Sequence, residues 1–256
     1  MGKLKEKFRR NNTLKIKMIG TGSISVKQRS ACSLIDDKIL IDCGNGIIKT
    51  LLEQNVDIKE INTLLITHLH GDHFLDIPFL IMQRKFCSAS NELNIYCPKG
   101  TEEVIGKIIT LIYSDIKDWK VLRDKTKVKF IEFENLSNKE ITNGYFVDSY
   151  EVRHGDFKPA YGFILKNSDT SVGFSGDSTY CKNIETIVKK ADISVLDMSF
   201  LDGNNKHMGA HHIENLINKY DKKIIATHMS ESARQYGNEI KNSKLIIPND
   251  GDEFVI

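Results

Sequence analysis

The sequence predicts a layered sandwich of the α/β or α+β class, built as a single domain. Three observations carry this. Short runs of period two alternate with stretches of helical apolar spacing along the whole chain, and tight turn signals join some strands directly as hairpins. The 256 residues, 40% of them hydrophobic, are ample for one domain and short for two, and they hold neither a linker nor a fixed-period repeat.

The elements follow in order. Residues 14–19 (LKIKMI) alternate apolar and polar, and Gly20-Thr21-Gly22-Ser23 breaks the run, so a strand enters a loop. Residues 33–42 give a β-hairpin, with SLI and KILID on either side of Asp36-Asp37. Gly44 and Gly46 end that strand, and residues 46–55 have helical spacing. The LLI of NTLLITHLHGDHF is short and wholly apolar, as a buried strand is. Residues 93–97 (LNIYC) read as a strand, and Thr101 as an N-cap, with Glu102 and Glu103 behind it, opens a helix through Tyr113. Lys117 to Lys129 mixes both charge signs and reads as a solvated face, with residues 127–133 alternating as a strand. Three strands fall between Gly144 and Phe174, the last two joined at Asn167-Ser168-Asp169. The remainder runs helix (184–190), strand (192–197), helix (210–220), strand (223–227), helix (231–240) and strand (244–247).

Composition narrows the function. Lys and Arg number 36 against 34 Asp and Glu, so no global charge argues for a nucleic-acid coat protein. The cysteines, Cys32, Cys43, Cys87, Cys97 and Cys181, are odd in number and form no C-x-x-C, which excludes a disulfide framework or zinc ribbon and fits reduced thiols in a cytosol. Residues 1–12 are basic through Lys3, Lys5, Lys7, Arg9 and Arg10, but Asn11-Asn12-Thr13 follows where an export signal needs an apolar run. They read as a frayed leader to a domain spanning 13–256. The apolar stretch Phe74 to Met82 is interrupted by Asp76 and Pro78 and is far below the roughly 18 residues that span a bilayer, so a soluble cytoplasmic protein without membrane contact is expected.

The eight histidines are unevenly placed: three lie within residues 68–73 and three within 207–212. In His68-Leu69-His70-Gly71-Asp72-His73, four ligand-type side chains crowd one loop, where burial without partners would be costly. A metal is the natural partner. The His-x-His pair can converge on one ion while Asp72 and His73 point elsewhere on the turn, which suggests two ions side by side.

That run resembles the H-x-H-x-D-H signature of the metallo-β-lactamase superfamily. Asp42 in IDCG, His154 in VRHGD, Asp177 in FSGDS and His228 in IATHMS resemble its first, third, fourth and fifth motifs, in order. The resemblance implies a four-layer αββα sandwich with the site at one edge of the two sheets. It makes His68, His70 and His154 ligands of one ion and Asp72, His73 and His228 ligands of the second, with Asp177 bridging. Asp42 would stand behind them and fix the tautomer of a ligand histidine. Singly, His154 and His228 also read as core or surface histidines, Asp177 as a turn residue and Asp42 as a cap.

Within the superfamily, residues 19–48 and 66–79 look most like ribonuclease Z, the tRNA 3′-processing endonuclease. Asp76 stands where that family commonly has Gly, and Glu231-Ser232-Ala233-Arg234 replaces the Arg-Tyr after its last motif. His154 and Asp177 are only 23 residues apart, so the family's long tRNA-gripping arm has no room there. His207, 21 residues before His228, falls where the family has a histidine proposed as proton donor, although His207-Met208-Gly209-Ala210 replaces its His-Ser-Thr. His211 and His212 read as surface residues of the following helix.

The implied enzyme is a binuclear metal-dependent phosphodiesterase. Two divalent ions, zinc from the nitrogen-rich set, with manganese or iron also compatible, would supply hydroxide near neutral pH. Asp72 would orient it and His207 would protonate the departing alkoxide. The substrate expected is small or nucleic-acid derived: cyclic phosphodiesters, then short oligonucleotides, then tRNA precursors. Lactam or thioester hydrolysis ranks lower, a non-enzymatic metal- or RNA-binding relative lower again because every ligand position is kept, and a redox relative lacks room for a flavin domain. The relatives it resembles are commonly dimers, which makes a homodimer the expectation.

Overall fold

A computed structural model describes residues 13–256; the leader read over 1–12 lies outside the described residues. The first sheet takes β1 (Lys15–Gly20), β2 (Cys32–Ile35), β3 (Ile39–Ile41), β4 (Thr63–Leu65), β5 (Leu93–Pro98) and β6 (Val128–Phe133). The second takes β7 (Lys139–Thr142), β8 (Tyr145–Glu151), β9 (Tyr161–Lys166), β10 (Ser171–Phe174), β11 (Ile193–Asp197), β12 (Lys223–Thr227) and β13 (Leu245–Ile246). The last strand, β14 (Glu253–Val255), returns to the edge of the first, giving the orders β14-β1-β2-β3-β4-β5-β6 and β13-β12-β11-β10-β9-β8-β7. In each sheet an antiparallel part passes into a parallel one, at β3 and at β10. Short helices α1 (Ile47–Glu53), α2 (Gly71–Phe74), α3 (Ile77–Phe86), α4 (Thr101–Ile112) and α5 (Trp119–Lys125) accompany the first sheet, and α6 (Lys182–Lys190), α7 (Ala210–Tyr220) and α8 (Glu231–Glu239) the second.

Alternation within the strands makes this a four-layer αββα sandwich. Ile16, Met18, Tyr96, Phe163 and Leu165 point between the sheets, while their neighbours Ile19, Ile95, Cys97 and Ile164 point outward under the helices. Three apolar cores result. Ile47, Leu51, Ile77, Leu80, Ile105 and Ile109 cover the first sheet, and Ile184, Ile187, Ile213 and Leu216 cover the second. The β2–β3 hairpin turns through Asp36 and Asp37 with φ of 48° and 57°, the left-handed pair that matches the twist of its strands. Tyr145 then donates its hydroxyl to Asp36 at 2.6 Å, joining the two sheets at that corner.

Three local expectations change. Thr101 is the first helical residue rather than the cap: Gly100, at φ 88°, precedes α4, and the Thr101 hydroxyl donates back to the Pro98 carbonyl at 2.5 Å. The charged stretch from Lys117 contains α5, opened by Asp118, whose carboxylate accepts from Lys120 N at 2.8 Å, and anchored by buried Trp119 and Leu122. The interrupted apolar run at 74–82 is mostly α3, with Pro78 in the first turn, where a missing N–H costs nothing. Among the described residues, no helix is long and apolar enough to cross a membrane.

Candidate metal centre

The site gathers where strands stop. Asp42 follows β3 and its amide donates to Leu65 O at 2.9 Å, so the IDCG turn lies beside the chain that leaves β4 toward the histidines. Cys43 N donates to His73 O at 2.7 Å. A Cβ on Gly44 would sit 1.8 Å from the Asp72 carbonyl oxygen, so only glycine lets the two turns press together.

Asp42 is buried at this junction. Its Oδ1 accepts from Thr67 N at 2.8 Å, and its Oδ2 accepts from the Thr67 hydroxyl and from His73 Nδ1, each at 2.8 Å. The Thr67 hydroxyl, its proton committed to Asp42, in turn accepts from His68 Nδ1 at 3.0 Å. One carboxylate therefore sets two tautomers, His73 directly and His68 through Thr67. Both rings turn Nε2 inward, and both Nε2 atoms are buried without a hydrogen-bond partner. Orphaned ring nitrogens of this kind fit a divalent ion, which removes the burial cost that packing leaves in place.

The second sheet supplies the other side. His154, just after β8, donates Nδ1 to Lys206 O at 2.9 Å, and its Nε2 lies 3.0 Å from His70 Nδ1. Asp177, after β10, is buried with Oδ2 at 3.3 Å from His73 Nε2, 3.4 Å from His228 Nε2 and 3.8 Å from His68 Nε2. His228, after β12, places Nε2 at 3.3 Å from Asp72 Oδ2. Ligand-type atoms thus converge within 4.8 Å in the sets His68, His70, His154, Asp177 and Asp72, His73, His228, with a third of Asp177, His207, His228. Asp177 lies between the first two. All seven residues expected to hold metal come together, with Asp42 behind them. Asp42 and His228 are held at φ of 61° and 54°, strained values for non-glycine residues that the surrounding bonds over-determine.

The electrostatics divide the set. Burial holds the His68, His70 and His154 imidazoles below the ordinary histidine value, His68 furthest, and neighbouring imidazoles add to this. Burial also opposes charge on His73 and His228, but Asp177 and Asp42 raise the first well above its usual value, and Asp177 with Asp72 raises the second. Asp177 is kept well below the carboxylate range by His228 and His73 against its own burial. The donor set is therefore ionised carboxylates and imidazoles with inward-facing nitrogens, suited to a borderline cation.

Sequence reasoning missed the residues that hold His207. Its Nδ1 lies 2.9 Å from Oδ2 of Asp197, a fully buried carboxylate at the end of β11. Asp197 Oδ1 accepts from the Ser199 hydroxyl at 2.5 Å, and Ser199 Oγ is 2.8 Å from His228 Nδ1. The His207 and His228 rings stack at 5.1 Å and 10°. The ISVLD run, an apolar strand ending in a carboxylate as ILID does at Asp42, was the available signal. His211 and His212 belong to none of these sets. His211 is exposed, and His212 accepts from Gly209 N at 3.1 Å across the first turn of α7.

Known proteins share this arrangement to different depths. Ribonuclease Z of Picrophilus torridus is 31% identical over 62% of this chain and 49% of its own length, so the matched part of the chain spans about half of that relative. Ribonuclease Z of Bacillus licheniformis is 25% identical over 92% of this chain and 95% of that protein. The metallo-β-lactamase fold protein YhfI from Bacillus subtilis superposes with a TM-score of 0.75 at 17% identity, over 95% of this chain and 100% of YhfI, which speaks for the fold. The model of the family described as anti-Pycsar protein Apyc1 matches residues 14–250, from the first strand past the last site histidine. With the sandwich, the ordered motifs and that match in agreement, the chain belongs to the Apyc1 family, among metallo-β-lactamase superfamily hydrolases close to ribonuclease Z.

Proposed function

We propose that the protein is a binuclear metal-dependent phosphodiesterase acting on a small or nucleic-acid-derived phosphodiester. The observation that carries this reading is the meeting of two ligand sets around Asp177 with an imidazole, His207, anchored beside them on buried Asp197. His68, His70 and His154 would hold one ion, Asp72, His73 and His228 the other, and Asp177 both; zinc suits the nitrogen-rich donors, with manganese or iron also accommodated. When bound, such a pair supplies hydroxide near neutral pH and Lewis acidity toward phosphoryl oxygens.

The chain's own groups do the rest. Asp72, whose carboxyl is held below its usual range by His228 against the effect of burial, accepts a hydrogen bond from the attacking nucleophile and orients it. His207 donates a proton from Nε2 to the departing alkoxide, because Asp197 occupies its Nδ1. Asp197 fixes the tautomer and the direction of the ring, and stacked His228 keeps the ring in plane.

Residues 155–176 are occupied by β9 and β10, which favours compact substrates: cyclic phosphodiesters first, short oligonucleotides next, tRNA precursors last. A homodimer accords with exposed apolar side chains at this end of the first sheet's helices, Leu75 just after α2 and Phe79 and Phe86 on α3. The single-domain reading over 13–256 and a cytoplasmic location accord with the continuous cores and with five free cysteines.

The test is metal content with hydrolysis of a bis-aryl phosphodiester. About two ions per chain are expected, and His207→Ala should slow hydrolysis of an ester with an alkoxide leaving group, such as a cyclic phosphodiester, by about 100-fold and of the aryl ester by much less, without metal loss. A protein that takes up no metal, or one active only on carboxylic esters or lactams, would refute the proposal.

A further inference from the structure

Among the described residues, Arg84 is the one buried lysine or arginine, 1% exposed in the last turn of α3. Its acceptors are all neutral: Nη1 donates to Ile61 O at 3.1 Å, Nη2 donates to Asn91 O at 2.5 Å and to Asn91 Oδ1 at 3.3 Å, and Nε has no partner. Burial holds the guanidinium below its ordinary value, and no carboxylate among the described residues offsets this. Methionine would fill the same space without a charge, and a buried charge that lacks a counter-charge is costly.

Arg84 also helps to wall a groove of about 720 Å³ between the end of α3 and α5, a size within the range of small-molecule sites. Lys85, Lys117, Lys125 and Lys127 line it as well, against two carboxylates, Asp115 and Asp118. Asp118 is committed to Lys120 N at the start of α5, and Lys127 Nζ donates to Ser90 O at 2.7 Å. Lys85, Lys117 and Lys125 form no ion pair among the described residues. Ile116, Val121 and Leu122 give the groove an apolar side, with Val121 48% exposed. The walls are fixed by tight turns: Ala89 N donates to Arg84 O at 3.0 Å, Leu93 N donates to Lys127 O at 3.0 Å, and Ser88 and Lys127 are held at φ of 54° and 53°. The groove opens beside the starts of β5 and β6, whereas the ligand loop leaves the end of β4, and the three strands are parallel. It therefore lies at the opposite end of the first sheet from the metal centre.

We infer that this groove is a second ligand site, which binds an anionic amphiphile: an apolar body carrying a phosphate or carboxylate head. The head sits among Lys117, Lys125 and Lys85, on the side of the groove that Arg84 walls, and the body lies on Ile116 and Val121. The ligand supplies the negative charge that the chain withholds from Arg84, while the guanidinium keeps its bonds to Ile61 and Asn91. Solvated lysines alone would need no such partner, but a cation kept out of water with an idle N–H does. The site is independent of the reaction at the metals.

The experiment titrates the zinc-loaded full chain with 8-anilinonaphthalene-1-sulfonate, followed by fluorescence and by the amide proton and nitrogen shifts of assigned residues. Binding should move the amides of Ser88, Ala89, Thr126 and Lys127 and leave those of His68, His70, His73 and His228 in place. N-phenyl-1-naphthylamine, the same ring system without the sulfonate, should bind about tenfold or more weakly, the difference expected for charge-assisted bonds to one head group. The double variant Lys117→Gln/Lys125→Gln should lose that difference while binding the neutral probe as before, and Arg84→Met should lose part of it. If Arg84→Met does not fold, the lysine pair decides. Octyl phosphate and octanoate then compete for the groove, read at the same amides, and the stronger competitor identifies the head group. Shifts at the metal turns instead of the groove, equal affinity for the charged and neutral probes, a preference that survives the lysine substitutions, or displacement by neither octyl compound overturns the inference.

Discussion

Replacing Asp42 with Asn separates a structural carboxylate from one that tunes both halves of the centre. The amide oxygen can still accept from Thr67 N, but the amide nitrogen replaces an Oδ2 that accepts from both the Thr67 hydroxyl and His73 Nδ1 at 2.8 Å. A donor there forces His73 into the opposite tautomer, with a proton on the Nε2 that faces Asp177 at 3.3 Å. His68 loses its orientation less directly, because the Thr67 hydroxyl is freed to rotate. Loss of such a partner behind a metal ligand costs about 10- to 100-fold in metal affinity. Asp42→Asn should impose that loss on both ions. Thr67→Val removes only the relay to His68 and should weaken one of the two. Zinc titration against a chromophoric chelator resolves the two steps, with far-ultraviolet circular dichroism to show that the variants fold. Two unchanged affinities in Asp42→Asn would refute the tautomer argument, and equal weakening of both ions in Thr67→Val would refute the division of labour.

Other outcomes follow from the same geometry. Asp197→Asn should lower kcat on a phosphodiester with an alkoxide leaving group by about 100-fold, with metal content by plasma emission near the wild-type level, since the amide oxygen can keep the bond from Ser199 that supports His228 while the amide nitrogen faces His207. Asp76 accepts from Ile48 N at 2.9 Å and burial raises its carboxyl above the usual value. With the folded value above the unfolded one, the stability its titration contributes is complete below about pH 3.9 and is lost as pH rises through the folded value. Asp76→Asn, which keeps an acceptor, should therefore gain on the wild type between acid and neutral pH in urea titrations, while Asp76→Ala should lose about 1 kcal/mol throughout. Stripping zinc with a chelator should lower the melting midpoint by roughly 10 °C, as expected for a ligand at about 1,000 times its Kd on a domain of this size. An unchanged midpoint would mean that the buried Nε2 atoms of His68 and His73 are not what the metal satisfies.

How much of this could be read beforehand depends on how local each signal is. Strands buried on both faces, such as those at 39–41, 63–65 and 193–197, are apolar runs and announce themselves. Helix α5 does not, because two residues, Trp119 and Leu122, carry its burial inside a stretch of charge. Edge strands β7 and β14 are short and owe their existence to partners: β14 exists because Phe254 lies opposite Ile16, far away in sequence. In the site, His68 to His73 form one compact word, and Asp42, Asp177 and His228 each follow an apolar run, while His154 comes after the mixed polar strand β8. Thr67 and the Lys206 carbonyl were illegible, the first because a threonine beside histidines is unremarkable in sequence, the second because a backbone oxygen leaves no mark at all. Asp197 became recognisable only when the fold set it against His207 and Ser199.

The placement of the ligands has a mechanical side. Each principal set draws on both sheets: His68 and His70 leave the first and meet His154 and Asp177 from the second, while Asp72 and His73 from the first meet His228 from the second. Neither layer closes either of these two sets by itself. Bound ions would act as rivets through the seam, so that sliding one layer over the other by about an ångström would open both spheres together. Loss of metal and parting of the layers then become one event, and metal content reports the alignment of the two halves of the chain.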